Sequence, residues 1–503
     1  MDGARIVTSL ADFEQTVEQA TIASTLRVPI EVRTSVEDPF DAYCRARDGG
    51  QGAFLETSGG RDGWGYFGVD PVDHLTVSAS ATTRTRRGES PTLAALAGLL
   101  ETCSLARGDC TVPYPAGVIG WLSYDIAREI ESLPTSARTD RPLPRLEVGV
   151  YDRLAAWSCP ARGDRVELHV TACPRVGDDV AEAYRRGRER ALELVRRLNS
   201  GTTTVDFDPD RGATSFRSEC GKPAFADRVR RIKAAIQAGE TFQANVSQRF
   251  TAPASVHPVT VYGALRERNP APYSCLLEER SLDLVSASPE LLLAVDGETV
   301  RTEPIAGTRP RGETSTADDR LETELTSDAK EQAEHAMLVD LERNDLGKIC
   351  RPGSVTVEEY RRVDRYSEVM HLVSEVCGER RPDTSLAEVI EALFPGGTIT
   401  GAPKPRTMAL IDEVEATRRG PYTGAVGLFG FDERATLNIV IRTLVRRDDT
   451  YSLRVGAGIV HDSRPDREYA ETLDKARALI AAVDDALEQS AMTVEATGGG
   501  GRG

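Results

Sequence analysis

The spacing of strand-like and helical runs restricts the fold of this chain more than any other feature. Residues 117–124, 146–151 and 166–171 are short runs of strand character, and a helical run, VAEAYRRGRERALELVRRL (180–198), follows them. Beyond residue 223, helices and strands mix without the regular strand–helix–strand spacing of a doubly wound sheet, which predicts an α+β protein. AFADRVRRIKAAIQAGE (224–240) has the pattern of a helix ending at Gly239. FQANVSQRF (242–250) alternates as a strand, with Gln243, Asn245, Ser247 and Arg249 on one face. The segment 199–223 is rich in Gly, Ser, Thr, Asp and Pro and predicts a linker between an N-terminal region, 1–198, and a second region, 224–488. Residues 489–503 end in GGGGRG and predict a flexible tail.

At 503 residues, with 40% hydrophobic content, the chain can bury a full core. Its net charge of -17 argues against a nucleic-acid partner, whose affinity would come from phosphate neutralisation. The nine cysteines are scattered and form no CxxC pair, as in a protein with reduced thiols. The start, MDGARIVTSLADFEQ, has no apolar leader, and no 18-residue apolar run follows, which predicts a cytoplasmic protein without a membrane partner.

PIAGTRPRG (304–312) poses the sharpest local question. Gly307 and Gly312 allow tight turns, and Arg309 and Arg311 offer guanidinium donors to an anion, yet Ala306 at the centre carries no chemistry. Glu331, Glu334 and His335 share a helical face with Leu338 and Leu341. Ser463 is a candidate cap for a later helix, on which Glu468, Glu471 and Lys475 form one stripe. Such acids could meet Mg²⁺, or Glu471 and Lys475 could simply pair on the surface. FPGGTITGAPKPR (394–406) lacks the arrangement of a P-loop, so it is a carboxylate cradle or a structural turn. His371 sits in an apolar run, where a core histidine is the plain explanation. Glu290, after Pro289, opens an apolar strand, where burial would suit it to general-acid work.

Taken in order, SPELLL, PIAGTRPRG, EHAMLVDLERNDLGKI, HLVSEV, GGTITGAPKPR, YTGAVG, IRTL, GAGIV and EYAETLDKA resemble the chorismate-utilising enzymes. That family includes anthranilate synthase component I, aminodeoxychorismate synthase component I, and the isochorismate and salicylate synthases. The match runs from about residue 220 to 485, and GWLSYDIAREIESLP and FLETS resemble the family's N-terminal region more loosely.

The resemblance implies a sandwich of two β-sheets flanked by helices. It implies Mg²⁺ held by Glu334 and Glu471 with Glu468 beside them, and Glu290 as the acid that protonates the departing C4 hydroxyl of chorismate. His371 would lie under the ring, with Ala306 and Thr308 beside the reacting carbons. Tyr422, Arg442, Gly456 and Lys475 would bind the substrate carboxylates, and Thr398 and Lys404 would line the same pocket. Gln243 stands where the water-activating synthases carry a Lys base, so the nucleophile implied is ammonia. No G-x-C-x-G elbow surrounds any cysteine, so ammonia would come from a separate glutamine amidotransferase subunit.

Ala306 resembles the anthranilate synthases, whereas many aminodeoxychorismate synthases have Lys there. QANVSQRF, FPGGTITGAPK, LNIVIRTL and NPAPYS resemble the aminodeoxychorismate branch. These four markers favour 4-amino-4-deoxychorismate, on the p-aminobenzoate branch, as the product. The alternative is anthranilate with pyruvate, and a third reading is a catalytically silent sensor. In FLETS, Thr57 replaces the Ser of the tryptophan-sensing motif, which speaks against tryptophan feedback.

Overall fold

The computed structural model describes residues 4–21, 25–79, 90–161, 164–200, 215–366 and 369–498, with side chains described to residue 489. Among these, a 13-stranded and a 10-stranded antiparallel sheet dominate. The larger sheet runs from the first-half strands Ile30–Val36, Val166–Ala172, Arg153–Cys159, Gly63–Val69 and Gly52–Glu56 directly into the second-half strands Tyr273–Glu278, Asp283–Ser288, Thr443–Arg447, Thr450–Ile459 and Gln243–Pro253. The smaller sheet likewise pairs Gly117–Leu122 with Ala425–Phe429, with Trp121 opposite Val426.

The boundary expected between residues 1–198 and 224–488 therefore does not separate two bodies. Both halves contribute strands to both sheets, and Leu55 pairs across that boundary with Cys275. The linker expected over 199–223 is described only at its ends, where the Val180–Ser200 helix stops and the Gly221–Gln237 helix starts; residues 201–214 lie outside the described residues.

The two sheets pack face to face through Tyr66, Trp121, Tyr151, Leu154, Leu277, Leu284, Val426 and Leu428. On the outer face of the larger sheet, the helices Pro39–Ala46, Val180–Ser200, Pro258–Arg268 and Pro465–Gly498 cover Phe54, Phe67 and Leu453. On the outer face of the smaller sheet, Pro91–Leu100, Ala329–Gly347 and Leu386–Leu393 cover Val148, Leu293 and Ile439. The result is four layers, helix–sheet–sheet–helix, and each fully buried Leu or Phe in them contributes about 1.5–3 kcal/mol.

Two local expectations change. The last helix, Pro465–Gly498, continues past residue 489, so no tail begins there; residues 499–503 lie outside the described residues. Ser463 does not cap that helix, because its hydroxyl closes a turn by accepting from the Val460 N–H at 3.1 Å. All nine cysteines are free thiols. Among the described residues, no helix is long and apolar enough to cross a membrane.

Candidate active site

Glu290 stands where the chain leaves the larger sheet after Asp283–Ser288 and enters the smaller one at Leu291–Asp296. The crossing is pinned from both sides: the Ile439 N–H donates to the Glu290 carbonyl at 3.0 Å, and the Ser288 hydroxyl donates to the Ile439 carbonyl at 2.6 Å. The carboxyl itself is buried and accepts from the Ile305 N–H at 3.4 Å. Burial pushes it up to about 7 against the hydrogen bonds from Thr398 and the Ile305 N–H; the Glu342 carboxyl adds to the rise and Arg442 opposes it. A carboxyl held there is half protonated at neutral pH, which is what a general acid requires.

Ile305–Pro310 forms the adjoining edge strand, with a bulge between Ile305 and Thr308 at which Gly307 takes φ +94°. Ala306 is half-buried there, and its carbonyl accepts from His335 Nδ1 at 3.3 Å. Thr308 pairs with His371 across the strands, and its hydroxyl meets His371 Nδ1 at 2.9 Å. The two arginines of PIAGTRPRG do not offer themselves to an anion. Arg309 is tied to Glu324, Asp328 and Glu331, and Arg311 to Asp318 and the Tyr366 carbonyl. They dock the loop onto the neighbouring helices.

His371, on Val369–Glu379, is buried, and its Nε2 has no hydrogen-bond partner. Burial, helped by Arg442 and Lys475, lowers it to about 3, so the ring is neutral throughout the physiological range. Arg442 thus faces both Glu290 and His371, from a backbone held in the left-handed region at φ +49° by the Ala287 N–H. A non-glycine residue in that region is strained by roughly 1–3 kcal/mol, a cost met mostly where position matters.

Lys475 donates to the Gly456 carbonyl at 3.0 Å and pairs with Glu471 at 2.7 Å. The surface pair weighed from spacing therefore exists, yet it also reaches the site strand. Gly456 sits opposite Ser247, and any Cβ there would collide with Asn245 Oδ1 and stand 2.7 Å from the Tyr422 hydroxyl. Gln243 Oε1 and Asn245 Oδ1 are both buried without a hydrogen-bond partner, and the Thr398 hydroxyl has only the Glu290 carboxyl beside it. Orphaned polar atoms so close together are unusual in a folded protein and mark a place for a polar ligand.

Below this surface lies an ionic group that the sequence did not signal. Glu415 accepts from the Ser247 N–H and hydroxyl at 2.9 and 2.7 Å, and pairs with Arg419 at 2.8 Å and Arg454 at 3.0 Å. Arg419 also donates to the Asn245 carbonyl at 2.7 Å and lies over the Tyr422 ring. Burial opposes ionisation of Glu415, but the two guanidiniums outweigh it and pull the carboxyl down to about 2.

The acids expected to hold metal converge only loosely. Glu334 and Glu468 are both raised, mainly by burial; Glu331 and Glu468 add repulsion at Glu334, and Glu471 adds it at Glu468. Glu334 Oε1 is buried, and its one partner is a long ion pair to Lys330 at 3.4 Å. Among the described residues, no set of three His, Cys, Asp or Glu side chains is closed around a cation-sized space. An under-compensated group of carboxylates open on one side suits an ion such as Mg²⁺, which keeps waters and takes only one or two protein carboxylates.

One expected pocket residue has its charge taken up within the fold. Lys404 is buried, bonded to Asp345 Oδ2 at 2.5 Å and to the Leu393 carbonyl at 3.0 Å, so its ammonium is committed to structure. Asp345 outcompetes a ligand because the pair is formed within the fold and needs no further desolvation. Sequence reasoning also passed over Glu342, although it lies seven residues after His335 on the same helical face. In the first half, Thr57 lines a separate cavity of about 340 Å³ with Arg61, Trp64, Tyr273 and Asn438.

Comparison with known proteins matches this arrangement. Residues 52–481 match the chorismate binding enzyme family, a span that crosses both halves. Anthranilate synthase component 1 3 of Haloarcula marismortui is 60% identical over 488 residues, 96% of each chain. Aminodeoxychorismate synthase component 1 of Bacillus subtilis is 41% identical over 377 residues, 75% of this chain and 79% of that one. The crystal structure of anthranilate synthase component I from Streptococcus pneumoniae TIGR4 superimposes with a TM-score of 0.71 at 29% identity, covering 83% of this chain and 92% of that one. With the family model matched over residues 52–481 and a relative 60% identical over 96% of the chain, the chain belongs to the chorismate binding enzyme family.

Proposed function

We propose that this chorismate-binding enzyme is the ammonia-using subunit of an anthranilate synthase. It adds ammonia to C2 of chorismate, loses the C4 hydroxyl as water and releases pyruvate, leaving anthranilate. The observation that carries this reading is Ala306. A methyl group beside His335 and Thr308 leaves C2 open and offers no amine of its own. The relative at 60% identity named as anthranilate synthase component 1 supports it over the relative at 41% named as aminodeoxychorismate synthase. The product favoured from QANVSQRF, FPGGTITGAPK, LNIVIRTL and NPAPYS thus gives way to the one that Ala306 and the relative at 60% identity support together.

In this reading Glu290, protonated, delivers its proton to the C4 oxygen as that bond breaks. Arg442 and Lys475 hold the carboxylates of a dianion, and Tyr422 and the Gly456 backbone fix their direction. Neutral His371 borders the ring without adding a cation beneath it. Glu334 and Glu471, with Glu468 close by, would hold Mg²⁺, which supplies charge to offset the ring carboxylate. Gln243 cannot deprotonate water, so ammonia, already nucleophilic, has the advantage. Ammonia would be supplied by a glutamine amidotransferase subunit.

The test incubates the protein with chorismate, Mg²⁺ and ammonium. Fluorescent anthranilate with equimolar pyruvate is expected; a product that yields p-aminobenzoate only after a lyase is added would sink the reading in favour of C4 amination. Ala306→Lys is expected to lower anthranilate formation at least about tenfold by crowding C2. In magnesium titrations, Glu334→Gln and Glu471→Gln should each raise the half-saturating concentration at least about tenfold, the scale set by losing even an outer-shell partner. An unchanged magnesium requirement would remove these carboxylates from the ion.

A further inference from the structure

Glu342 is a buried acid whose environment a structural role does not explain. It lies on the inner face of Ala329–Gly347, and Oε1 accepts from the Gly397 N–H at 3.2 Å. Oε2 is buried and poorly satisfied, with the Thr302 hydroxyl the one side-chain donor beside the carboxyl apart from Lys404. The nearest ammonium, Lys404, is given to Asp345 at 2.5 Å instead. The loop packs closely against the helix, since a side chain at Gly397 would strike Leu341 and stand 3.0 Å from Glu342 Oε1. The next residue, Thr398, faces Glu290. An apolar side chain would fill the same space without the cost of an under-bonded acid.

We propose that Glu342 is a positioning residue, which clamps the Gly397–Thr398 backbone to the helix and sets the charge state of Glu290 across it. The charged and polar groups around the pair are few. Lys404, Asp345, the Gly397 N–H and Thr302 face Glu342, and Thr398, the Ile305 N–H, Glu342 and Arg442 face Glu290. Burial raises both to about 7; Lys404 lowers Glu342 and Asp345 raises it, while the Glu342 charge adds to the rise at Glu290. A negative neighbour keeps the proton on Glu290, so the acid form persists to higher pH than burial alone would allow.

This inference rests on Glu290 acting as the general acid. Glu342→Gln keeps an oxygen acceptor for Gly397 and removes the charge. Its alkaline limb of kcat/KM against pH is expected to move down by about 0.5–1 pH unit. Gly397→Ala, which forces the loop off the helix, is expected to lower kcat about 10- to 100-fold with little change in KM, as displacement of a positioned group does. A Gln profile that superimposes on the wild type, or a Gly397→Ala enzyme with wild-type kcat, would overturn the proposal. Infrared titration of the carboxyl stretch in the substrate-free protein reads the same coupling without turnover. A lowered midpoint in Glu342→Gln beside an inactive wild type would fail the reaction and keep the inference; an unmoved midpoint would fail the inference.

Discussion

Glu290→Gln should lower kcat for chorismate by about 10²- to 10⁴-fold, the range general-acid catalysis spans, while KM stays within about threefold. The amide occupies the same space and can still accept from the Ile305 N–H, but it has no proton to give. The alkaline limb of the wild-type pH profile, expected near the carboxyl's value of about 7, should vanish with it. Stability supplies an independent check. A carboxyl raised from 4.5 to about 7 in the folded state costs nothing below 4.5, and stability falls as pH rises from there through about 7. The Gln variant should therefore be more stable than wild type above neutral pH, by on the order of 1–3 kcal/mol in chemical denaturation. Wild-type turnover in Glu290→Gln would remove the residue from the mechanism.

Glu415→Ala should destabilise the protein by about 3–5 kcal/mol, the largest effect expected from any single side chain outside the hydrophobic core. Removing it leaves Arg419 and Arg454 facing each other in a buried space and frees the Ser247 N–H and hydroxyl. The loss should spread to the site, because Arg419 holds the Asn245 carbonyl and backs the Tyr422 ring. Here the pH sign is opposite to that of Glu290. A carboxyl lowered to about 2 contributes its full stabilisation above 4.5 and loses it as pH falls from there through about 2. Wild type should thus lose about 3 kcal/mol over that acid range that Glu415→Ala does not lose further. Equal denaturation midpoints for the two proteins at neutral pH would show that the group is not a structural clamp.

Much of the site was legible in the chain. The motifs are local and each carries its chemistry in its own order: Pro289 before Glu290 at the mouth of an apolar strand, His371 inside one, and Glu468, Glu471 and Lys475 at helical spacing. The helix ending at Gly239 and the alternating strand after it were equally plain, since caps and periodicity act over a few residues. The misplaced residues are those that depend on distant partners. Lys404 is an exposed-looking cation in a glycine loop until Asp345, on another helix, takes it. Arg309 and Arg311 look available until Asp318, Asp328 and Glu331 pack against them. Glu415 has Arg419 four residues on, but its burial and its second guanidinium, Arg454, from a strand 39 residues away, are not written in its neighbours.

By itself, then, the sequence determined the α+β character, the ordered motifs and the kind of chemistry they serve, because hydrophobic period, turn residues and short spacings are properties of the chain. Only the tertiary structure decided that the two halves share both sheets, through pairs such as Leu55 with Cys275 and Trp121 with Val426. It alone set which charges are spent on the fold and which remain for a ligand. The physical reason is that burial and long-range pairing set the cost of a charge, and neither is a property of neighbours in sequence.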